Sequence, residues 1–414
     1  MTLLAKDIPS TVGKIVGEAR VVDFHTHLFT PCHGSICWWG IDDLLNYHYL
    51  IAETFRYLSV PHEKFWALSK PQQADLIWKT LFVDRTPMSE AARGVVTCLS
   101  RLGADPNVRD LNKIRAFYKS FTLRQFIDRI FGLTNLEYLY MTNDPLDPDE
   151  REVWLKGHED DPRFRKALRV DNFFRNAEFS QKTLKSDGFP VEKTLNPKSI
   201  KNLRKFFEKW CDLIQPEYIA ASLPPDFTYP SKTNPYAKMI GQVVLPIARE
   251  RNLPVALMIG VRRLVNPLLK SAGDSIGRAD IHAVENLCLE NPDIRFFCTM
   301  LARENQHELC ITSRKFRNLT LFGCWWFVNN PSLIEEITKM RLELLGLSFI
   351  PQHSDCRIID QLLYKWDHSR IVLSKVLAEK YADLANSGCD VTEERIRIDV
   401  GNLLAGNVKE GLKR

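Results

Sequence analysis

Residues 21–28 read VVDFHTHL, and this short stretch decides both the expected fold and the place of the chemistry. Its β-branched and aromatic residues favour a buried β-strand, and two histidines stand at its carboxyl end. Side chains two residues apart on a strand share a face, so His25 and His27 are expected to project together. The stretch therefore predicts a first strand that ends in a functional site.

Seven further segments of this kind follow, and sequence with helical spacing separates them. The eight predicted strands are residues 21–28, 137–143, 166–171, 218–223, 254–260, 295–301, 319–325 and 348–353. Apolar runs that alternate with helical patterns indicate parallel strands covered by helices. Eight such units predict an α/β fold, a (β/α)8 TIM barrel, with an open doubly wound sheet as the alternative.

The connection after the first predicted strand is longer than the others. Residues 33–130 contain three stretches with apolar residues at helical spacing, and helices are expected to start near Asp42 and Ser89. We interpret this region as a helical insertion folded over the barrel mouth. No internal repeat or low-complexity linker interrupts the sequence, so residues 1–414 are expected to form a single barrel domain.

The composition excludes several classes of protein and of partner. The 414 residues are 45% hydrophobic and 26% charged, values typical of a folded globular chain. The 56 basic and 51 acidic residues leave a net charge of only +5 without a basic stripe, so no nucleic-acid partner is expected. No run reaches the roughly 18 apolar residues of a membrane span. Scattered cysteines and the lack of a signal peptide predict a cytoplasmic protein with reduced thiols.

Two motifs at opposite ends of the chain indicate a metal site. The imidazoles of His25 and His27 can hold one divalent metal, although a hydrogen-bonded histidine pair in a polar interior is the alternative. The eighth predicted strand ends in HSDCR, residues 353–357. In a closed barrel this strand neighbours the first, so Asp355 could complete the metal site. An ion pair between Asp355 and Arg357 is the competing interpretation.

Other polar side chains lie near predicted strand ends or in the insertion. His48 and Tyr49 are consecutive, and neighbours on a helix diverge by about 100°, which favours a tyrosine at a helix surface. A tyrosine beside Arg357 would instead have its pKa lowered toward phenolate formation. Arg169 could hold a substrate carboxylate through two parallel hydrogen bonds, but an ion pair with Asp171 is equally compatible.

Several catalytic signatures are absent from the sequence, and one aromatic pair remains open to two interpretations. The sequence contains no P-loop, no dinucleotide glycine fingerprint and no Gly-x-Ser-x-Gly elbow. Trp325 and Trp326 end the seventh predicted strand, where packing is a commoner role than a platform for substrate.

Taken in chain order, the motifs resemble those of the uronate isomerases, a branch of the amidohydrolase superfamily, and in particular its shorter bacterial subgroup. The matching motifs are DFHTHL at 23–28, HY at 48–49, TNDP at 142–145, RVD at 169–171, GCWWF at 323–327 and Asp-x-Arg at 355–357. They span nearly the whole chain, so the combination is more specific than any one motif.

This resemblance implies a (β/α)8 barrel fold and a role in carbohydrate metabolism. The implied reaction interconverts a uronic acid with its keto isomer, such as D-glucuronate with D-fructuronate or D-galacturonate with D-tagaturonate. It implies one divalent metal, zinc or else manganese or iron, and a homo-oligomer. The residues it assigns are His25, His27 and Asp355 at the metal; His48, Arg169 and Trp326 at the substrate; and Tyr49, Asp355 and Arg357 in catalysis. One departure is Met258, which stands where much of the family has a histidine on the fifth strand.

The residue types also suit the chemistry itself. Moving a proton between C2 and C1 through an enediol needs a base, an acid and a group that stabilises the developing oxyanion. We expect Tyr49, ionised beside Arg357, to take the C2 proton while Arg169 holds the substrate carboxylate. We expect Asp355 to assist opening of the sugar ring.

Two other functions fit parts of the pattern. A metal-dependent hydrolase would use the same histidines and Asp355 to activate a water molecule, and two tightly bound ions would favour it. A non-catalytic barrel would serve as a binding or scaffold protein. The clustering of polar residues at strand ends, where barrel enzymes work, argues against the scaffold.

Overall fold

The computed structural model describes residues 2–175, 177–192 and 195–413. Its strands are β1 (Val21–Thr26), β2 (Leu136–Asn143), β3 (Phe164–Arg169), β4 (Ile219–Leu223), β5 (Val255–Ile259), β6 (Val261–Arg262), β7 (Ser275–Ile276), β8 (Phe296–Met300) and β9 (Leu319–Leu321). Seven of them form a parallel sheet in the order β1-β2-β3-β4-β5-β8-β9, and β6 pairs with β7 in a separate antiparallel ribbon.

Helices precede, connect and follow these strands. The α-helices are α1 (Ile8–Glu18), α2 (Ile41–Leu45), α3 (His48–Thr54), α4 (His62–Trp66), α5 (Lys70–Trp78), α6 (Glu90–Leu102), α7 (Leu111–Tyr118), α8 (Leu123–Thr134), α9 (Pro148–Lys156), α10 (Asn172–Arg175), α11 (Ala177–Ser186), α12 (Pro197–Ile214), α13 (Pro235–Met239), α14 (Leu245–Glu250), α15 (His282–Glu290), α16 (Gln306–Ser313), α17 (Pro331–Leu345), α18 (Gln361–Asn386), α19 (Glu393–Gly401) and α20 (Asn407–Lys413).

Shorter helical segments complete the chain. Turns of 3-10 helix lie at Ala5–Asp7, Pro31–Ile36, Pro267–Gly273, Arg303–Asn305 and Trp326–Val328. Turns of π-helix lie at Lys79–Val83, Ile240–Val244 and Asn402–Gly406. Within the ranges that the structure describes, no helix combines the length and the apolar character needed to cross a membrane.

Local sequence explains where the helices after β1 begin and end. The hydroxyl of Ser89 accepts a hydrogen bond from the Ala92 amide at 3.1 Å, which caps the predicted start of α6. This helix ends at Gly103, whose φ of 86° is a conformation that glycine adopts without strain. The other expected start is displaced slightly, because α2 begins at Ile41 and Asp42 lies in its first turn.

The barrel interior is filled by aromatic side chains. The ring of Phe24 on β1 stacks on Tyr218 with centroids 4.7 Å apart, and it lies 4.7 Å from Phe297 and 4.9 Å from Phe322. The Tyr218 hydroxyl donates to the Phe24 carbonyl at 2.7 Å, so its polar end is satisfied within this buried layer. The interior is therefore a packed core, and open space is left to the rim.

The eighth predicted strand differs from expectation. Among residues 348–353, only Ile350 forms a β-bridge, parallel to Phe322. The Ile350 amide donates to Leu321 at 2.9 Å and its carbonyl accepts from Gly323 at 2.8 Å. Pro351 follows immediately and has no N–H to continue a ladder, which explains why a regular strand does not form.

The residues at the end of this segment, 353–357, nevertheless close the sheet onto β1. The Asp355 amide donates to the His25 carbonyl at 3.1 Å, and the His27 amide donates to the Cys356 carbonyl at 2.7 Å. The sequential strand order and this closure confirm the predicted α/β barrel over the doubly wound alternative. The seventh strand is also shorter than predicted and ends at Leu321, just before Gly323 takes a φ of 60°.

Gly323 generates a testable prediction about this closure. A Cβ at this position would lie 1.7 Å from Nδ1 of the buried His353, and the φ of 60° disfavours any other residue. We expect Gly323→Ala to lower the free energy of unfolding by about 2–4 kcal/mol.

Urea denaturation would measure this loss, with Gly13→Ala as the matched control. Gly13 lies inside α1, and no atom lies within 4 Å of the point where an alanine methyl group would stand, so alanine should add about 0.5–1 kcal/mol. Equal stability of Gly323→Ala and the native chain would show that the contact between this turn and His353 is not tight.

Candidate functional site

The closure between β1 and residues 353–357 brings three potential metal ligands together. Nε2 of His27 lies 3.3 Å from Oδ1 of Asp355, and Nε2 of His25 lies 3.8 Å from the same oxygen. Asp355 has a φ of 52°, a left-handed conformation that aspartate tolerates better than most residues. One nitrogen from each histidine and one oxygen from Asp355 all lie within 4.8 Å of one another.

The donor atoms of this group fit a divalent cation. Among the described residues, neither ring nitrogen of His25 nor Oδ1 of Asp355 has a hydrogen-bond partner, although these atoms are buried. Burial lowers the pKa of His25 to about 3 and that of His27 well below its usual value, so both imidazoles are neutral at pH 7. Neutral imidazole is the form that binds metals, and an unpaired buried donor otherwise costs stability.

A neighbouring hydroxyl orients one of these ligands. Nδ1 of His27 lies 3.0 Å from Oγ1 of Thr142 at the end of β2, and the Thr142 hydroxyl also donates to the Thr26 carbonyl at 2.8 Å. Because the hydroxyl proton is used on that carbonyl, Nδ1 of His27 becomes the donor and leaves Nε2 free beside Asp355. Thr142 therefore fixes the ring that faces the carboxylate.

An open cleft borders this group at the carboxyl ends of the strands. It consists of two cavities of about 250 and 260 Å³ that share Arg175 and Arg357 in their walls. Together they reach the lower end of the range of roughly 300–1,000 Å³ found for ligand pockets. His27 lines the first cavity and His48 lines the second.

The four arginines around the cleft differ in their partners. Arg169 makes two hydrogen bonds to Asp171, at 2.8 and 2.9 Å, and Arg263 makes one to Asp274 at 2.5 Å. Burial alone would raise the pKa of Asp171, but Arg169 lowers it to about 2. In the part of the chain that the structure describes, Arg175 has no ion pair.

Arg357 resembles Arg175 in lacking an ion pair among the described residues. Its guanidinium has no ion-pair partner within residues 2–175, 177–192 and 195–413, so the expected alternative of an Asp355–Arg357 pair is not formed. Two guanidinium groups without direct ion-pair partners in one cleft favour an anionic ligand, although Asp147 and Asp149 also line the first cavity.

His48 and Tyr49 approach the rim together because they occupy the first turn of α3. Their ring centroids are 4.5 Å apart; the His48 ring lies 5.5 Å from Trp326 and the Tyr49 ring 5.8 Å from Phe327. His48 lines the second cavity, whereas Tyr49 lines neither of the two. The two side chains point in different directions, as predicted for neighbours on a helix, and the short turn Trp326–Val328 supplies an aromatic ring in contact with each of them.

The protonation state of Tyr49 differs from expectation. Burial raises the pKa of Tyr49 well above its usual value, nearby Tyr47 and Asp355 raise it further, and Arg357 offsets only part of this. The phenol is therefore neutral in this structure. Arg357 acts on the pKa of Tyr49 in the expected direction, but desolvation outweighs this one neighbouring cation.

Trp326 belongs to the cleft as well as to the core. Its side chain is 7% exposed, it lines the second cavity, and its indole Nε1 is buried without a partner among the described residues. Its φ of 46° is unusual for a non-glycine residue, and strained backbone of this kind is concentrated at functional sites.

Comparison with solved structures decides the family. A uronate isomerase from Bacillus halodurans is 45% identical in sequence, and the match covers 100% of this chain and 98% of that chain with a TM-score of 0.96. The chain belongs to the uronate isomerase family. Scans against protein-family models and curated proteins gave no match.

More distant structures share the fold. A uronate isomerase from Thermotoga maritima is 15% identical with a TM-score of 0.78, covering 100% of both chains. A glucuronate isomerase from Caulobacter crescentus is 14% identical with a TM-score of 0.77, covering 99% of this chain and 94% of that one. Both support the barrel architecture assigned to the family.

The structure also identifies cleft residues that the motifs did not indicate. Arg175 in α10 and Arg263 after β6 line the second cavity. His353, the first residue of the HSDCR motif, is fully buried, and its ring lies 5.6 Å from His25. For Arg175 and Arg263, the available sequence signal was an arginine a few residues beyond the end of a predicted strand. Met258 is 1% exposed among the interior side chains and supplies no imidazole to the metal group.

Metal binding at this group can be tested through its ligand and its supporting hydroxyl. We expect His27→Ala to remove one tightly bound zinc ion per chain, and Thr142→Val to weaken binding at the same site by about 10- to 100-fold. Calorimetric titration with Zn²⁺ would measure both effects. His282→Ala is the control, because that side chain is 76% exposed and pairs with Asp280. Unchanged stoichiometry in His27→Ala would place the ion elsewhere.

Proposed function

We propose that this chain interconverts an aldehyde uronic acid, such as D-glucuronate or D-galacturonate, with its keto isomer by proton transfer through an enediol. The observation that carries the proposal is the pair of unpaired guanidinium groups, Arg175 and Arg357, beside the His25–His27–Asp355 group. A uronic acid has a carboxylate for the cations and vicinal oxygens for the metal ligand group. The family membership supports the same reaction.

The arginines take different parts in substrate binding. Asp171 already occupies the planar edge of Arg169, so we assign the substrate carboxylate to Arg175 and keep Arg169 as a neighbouring charge that the ion pair holds in place. Arg357 lines both cavities and follows Asp355 by two residues. We assign Arg357 to the oxyanion that develops at C1 or C2. His48 and Trp326 would contact the sugar from the second cavity.

Proton transfer is assigned to Tyr49 and Asp355. A divalent cation held by His25, His27 and Asp355, zinc or else manganese or iron, would polarise the substrate oxygens as a Lewis acid. Asp355 retains a second carboxylate oxygen that can take a hydroxyl proton as the sugar ring opens. We assign the transfer of the carbon-bound proton to Tyr49; Arg357 favours its phenolate, while burial and the neighbouring Tyr47 and Asp355 oppose it.

The wider organisation is proposed on the same basis. We infer a single domain, residues 1–414, in which the insertion at 33–130 covers the barrel mouth, because α3 carries His48 to within 5.5 Å of the Trp326 ring. A cytoplasmic location is supported by ten free cysteines. A homo-oligomer stays a prediction from the family resemblance. The hydrolase alternative receives no support from the structural relatives.

Substrate choice tests the proposal directly. We expect the purified chain, supplied with Zn²⁺ or Mn²⁺, to form keto product from D-glucuronate or D-galacturonate at least about a hundredfold faster than from D-glucose, which lacks the carboxylate. Arg175→Gln should raise KM for the uronate by about 10- to 100-fold.

The matched control is Arg303→Gln, since Arg303 is 58% exposed and pairs with Glu336 away from the cleft. Equal rates for D-glucose and the uronates would refute recognition through the carboxylate. Absence of turnover with both uronates would refute the proposed reaction.

Tyr49 has its own test. We expect Tyr49→Phe to lower kcat by about 10²- to 10⁴-fold with little change in KM, because the ring packing is kept and only the proton-carrying hydroxyl is lost. Steady-state kinetics would measure this, with melting temperature as a check on folding. Tyr57→Phe, at a side chain that is 50% exposed, should be fully active. A Tyr49→Phe variant with native kcat would remove Tyr49 from the proton transfer.

A further inference from the structure

A second group of metal-ligand side chains lies outside the site described above. Cys32, His33 and His158 each offer one donor atom, and these atoms lie within 4.8 Å of one another. The hydroxyl oxygen of Thr30 contacts all three donors. It is 3.0 Å from Sγ of Cys32, 3.1 Å from Nδ1 of His33 and 3.2 Å from Nε2 of His158.

Two separate segments supply these donors. Cys32 and His33 lie in the 3-10 segment Pro31–Ile36 that follows β1, and His158 lies in the loop after α9. Both histidines are enclosed: His33 is 4% exposed, and the side chain of His158 is 4% exposed. The Trp154 ring stacks on His158 with centroids 4.1 Å apart and fixes the plane of that imidazole.

A carboxylate supports the ligand orientation of His158. Nδ1 of His158 lies 3.2 Å from Oδ1 of Asp160, and the same oxygen accepts a hydrogen bond from Lys166 Nζ at 3.0 Å. Nδ1 makes no hydrogen bond of good geometry among the described residues, but the nearby carboxylate charge favours a proton on it. That leaves the other nitrogen as a donor of its lone pair, an arrangement common behind metal-binding histidines. For His158 that other nitrogen is Nε2, which faces Thr30, Cys32 and His33.

The second histidine also has an unsatisfied atom. Nε2 of His33 is buried without a hydrogen-bond partner among the described residues, so its tautomer is not fixed from outside the group. The other ring nitrogen of His33, Nδ1, lies 3.6 Å from the Cys32 sulfur. The Thr30 hydroxyl can bridge the three donors when no ion is present, because it has one proton and two lone pairs.

We propose that Cys32 Sγ, His33 Nδ1 and His158 Nε2 bind one zinc-class divalent cation, separate from the ion at His25, His27 and Asp355. One thiolate and two imidazoles form a donor set that suits zinc and disfavours magnesium, calcium and manganese. Binding replaces the thiol S–H bond with a sulfur–metal bond and releases that proton to solvent, with no change in oxidation state. The fourth position is left to Thr30 or to water.

Such an ion would stabilise one wall of the cleft. Phe29 and Ile36 flank the two ligands after β1, and Asp147, Asp149 and Glu150 begin α9; all five line the first cavity. A cation shared by the two segments would cross-link them. The ion would therefore have a structural role and would not contact the substrate.

Cobalt substitution tests the proposal without any substrate. We expect Co²⁺ to give a thiolate-to-cobalt charge-transfer band in the near ultraviolet that saturates at one ion per chain. The group at His25, His27 and Asp355 has no sulfur, so His27→Ala should keep the band. Cys32→Ser should lose it, and His158→Gln should weaken Co²⁺ binding by at least about tenfold. Cys389→Ser is the matched control, because Cys389 is the exposed cysteine.

Alkylation of the native chain gives a second measurement if Cys32→Ser does not fold. We expect Zn²⁺ to protect Cys32 from iodoacetamide while Cys389 continues to react, with the modified peptides identified by mass spectrometry. A missing charge-transfer band, a band retained in Cys32→Ser, or Cys32 alkylation that Zn²⁺ does not slow would overturn the proposal. None of these outcomes depends on isomerase activity, so failure here is distinct from failure of the proposed function.

Discussion

The closure of the barrel between β1 and residues 353–357 is the constraint on which the rest of the site depends. Backbone hydrogen bonds from Asp355 to His25 and from His27 to Cys356 join segments from opposite ends of the chain. Asp23 reinforces them, accepting from the Ser354 amide and from the Trp366 indole, both at 3.0 Å. Burial raises the pKa of Asp23 to about 6, and the hydrogen bonds from Ser354 and Trp366 offset part of this rise.

Polar atoms and strained backbone are concentrated where the barrel closes. Asp355 and Trp326 have φ values of 52° and 46°, which side chains other than glycine adopt at a cost in free energy. The histidine nitrogens next to them are buried without protein partners in the described part of the chain. These costs make physical sense if ligands complete the site: a cation between the imidazoles and Asp355, and an anion beside Arg175 and Arg357.

Much of this arrangement could be predicted from sequence, and the failures have identifiable causes. The alternation of apolar runs predicted the barrel, and neighbouring first and last strands predicted that Asp355 would meet His25 and His27. Because Pro351 has no N–H for a strand ladder, the eighth predicted strand is reduced to the single β-bridge between Ile350 and Phe322. The neutral state of Tyr49 was not predictable, because desolvation depends on the packing around α3 and not on one adjacent cation. Arg175 lies in α10 without a recognisable motif, so only the structure places it in the wall of the cleft.

Proton NMR of the purified chain with D-glucuronate in D₂O, with and without Zn²⁺ or Mn²⁺, tests whether isomerisation passes through an enediol. When the enediol forms, the proton taken from C2 resides on the catalytic base, where it exchanges with solvent deuterium before a proton or deuteron is returned to carbon. We expect the keto sugar with deuterium at C1 and, as equilibrium is approached, deuterium at C2 of the remaining aldehyde sugar. Full retention of protium at both carbons, or no conversion of D-glucuronate or D-galacturonate under any metal condition, would contradict this expectation.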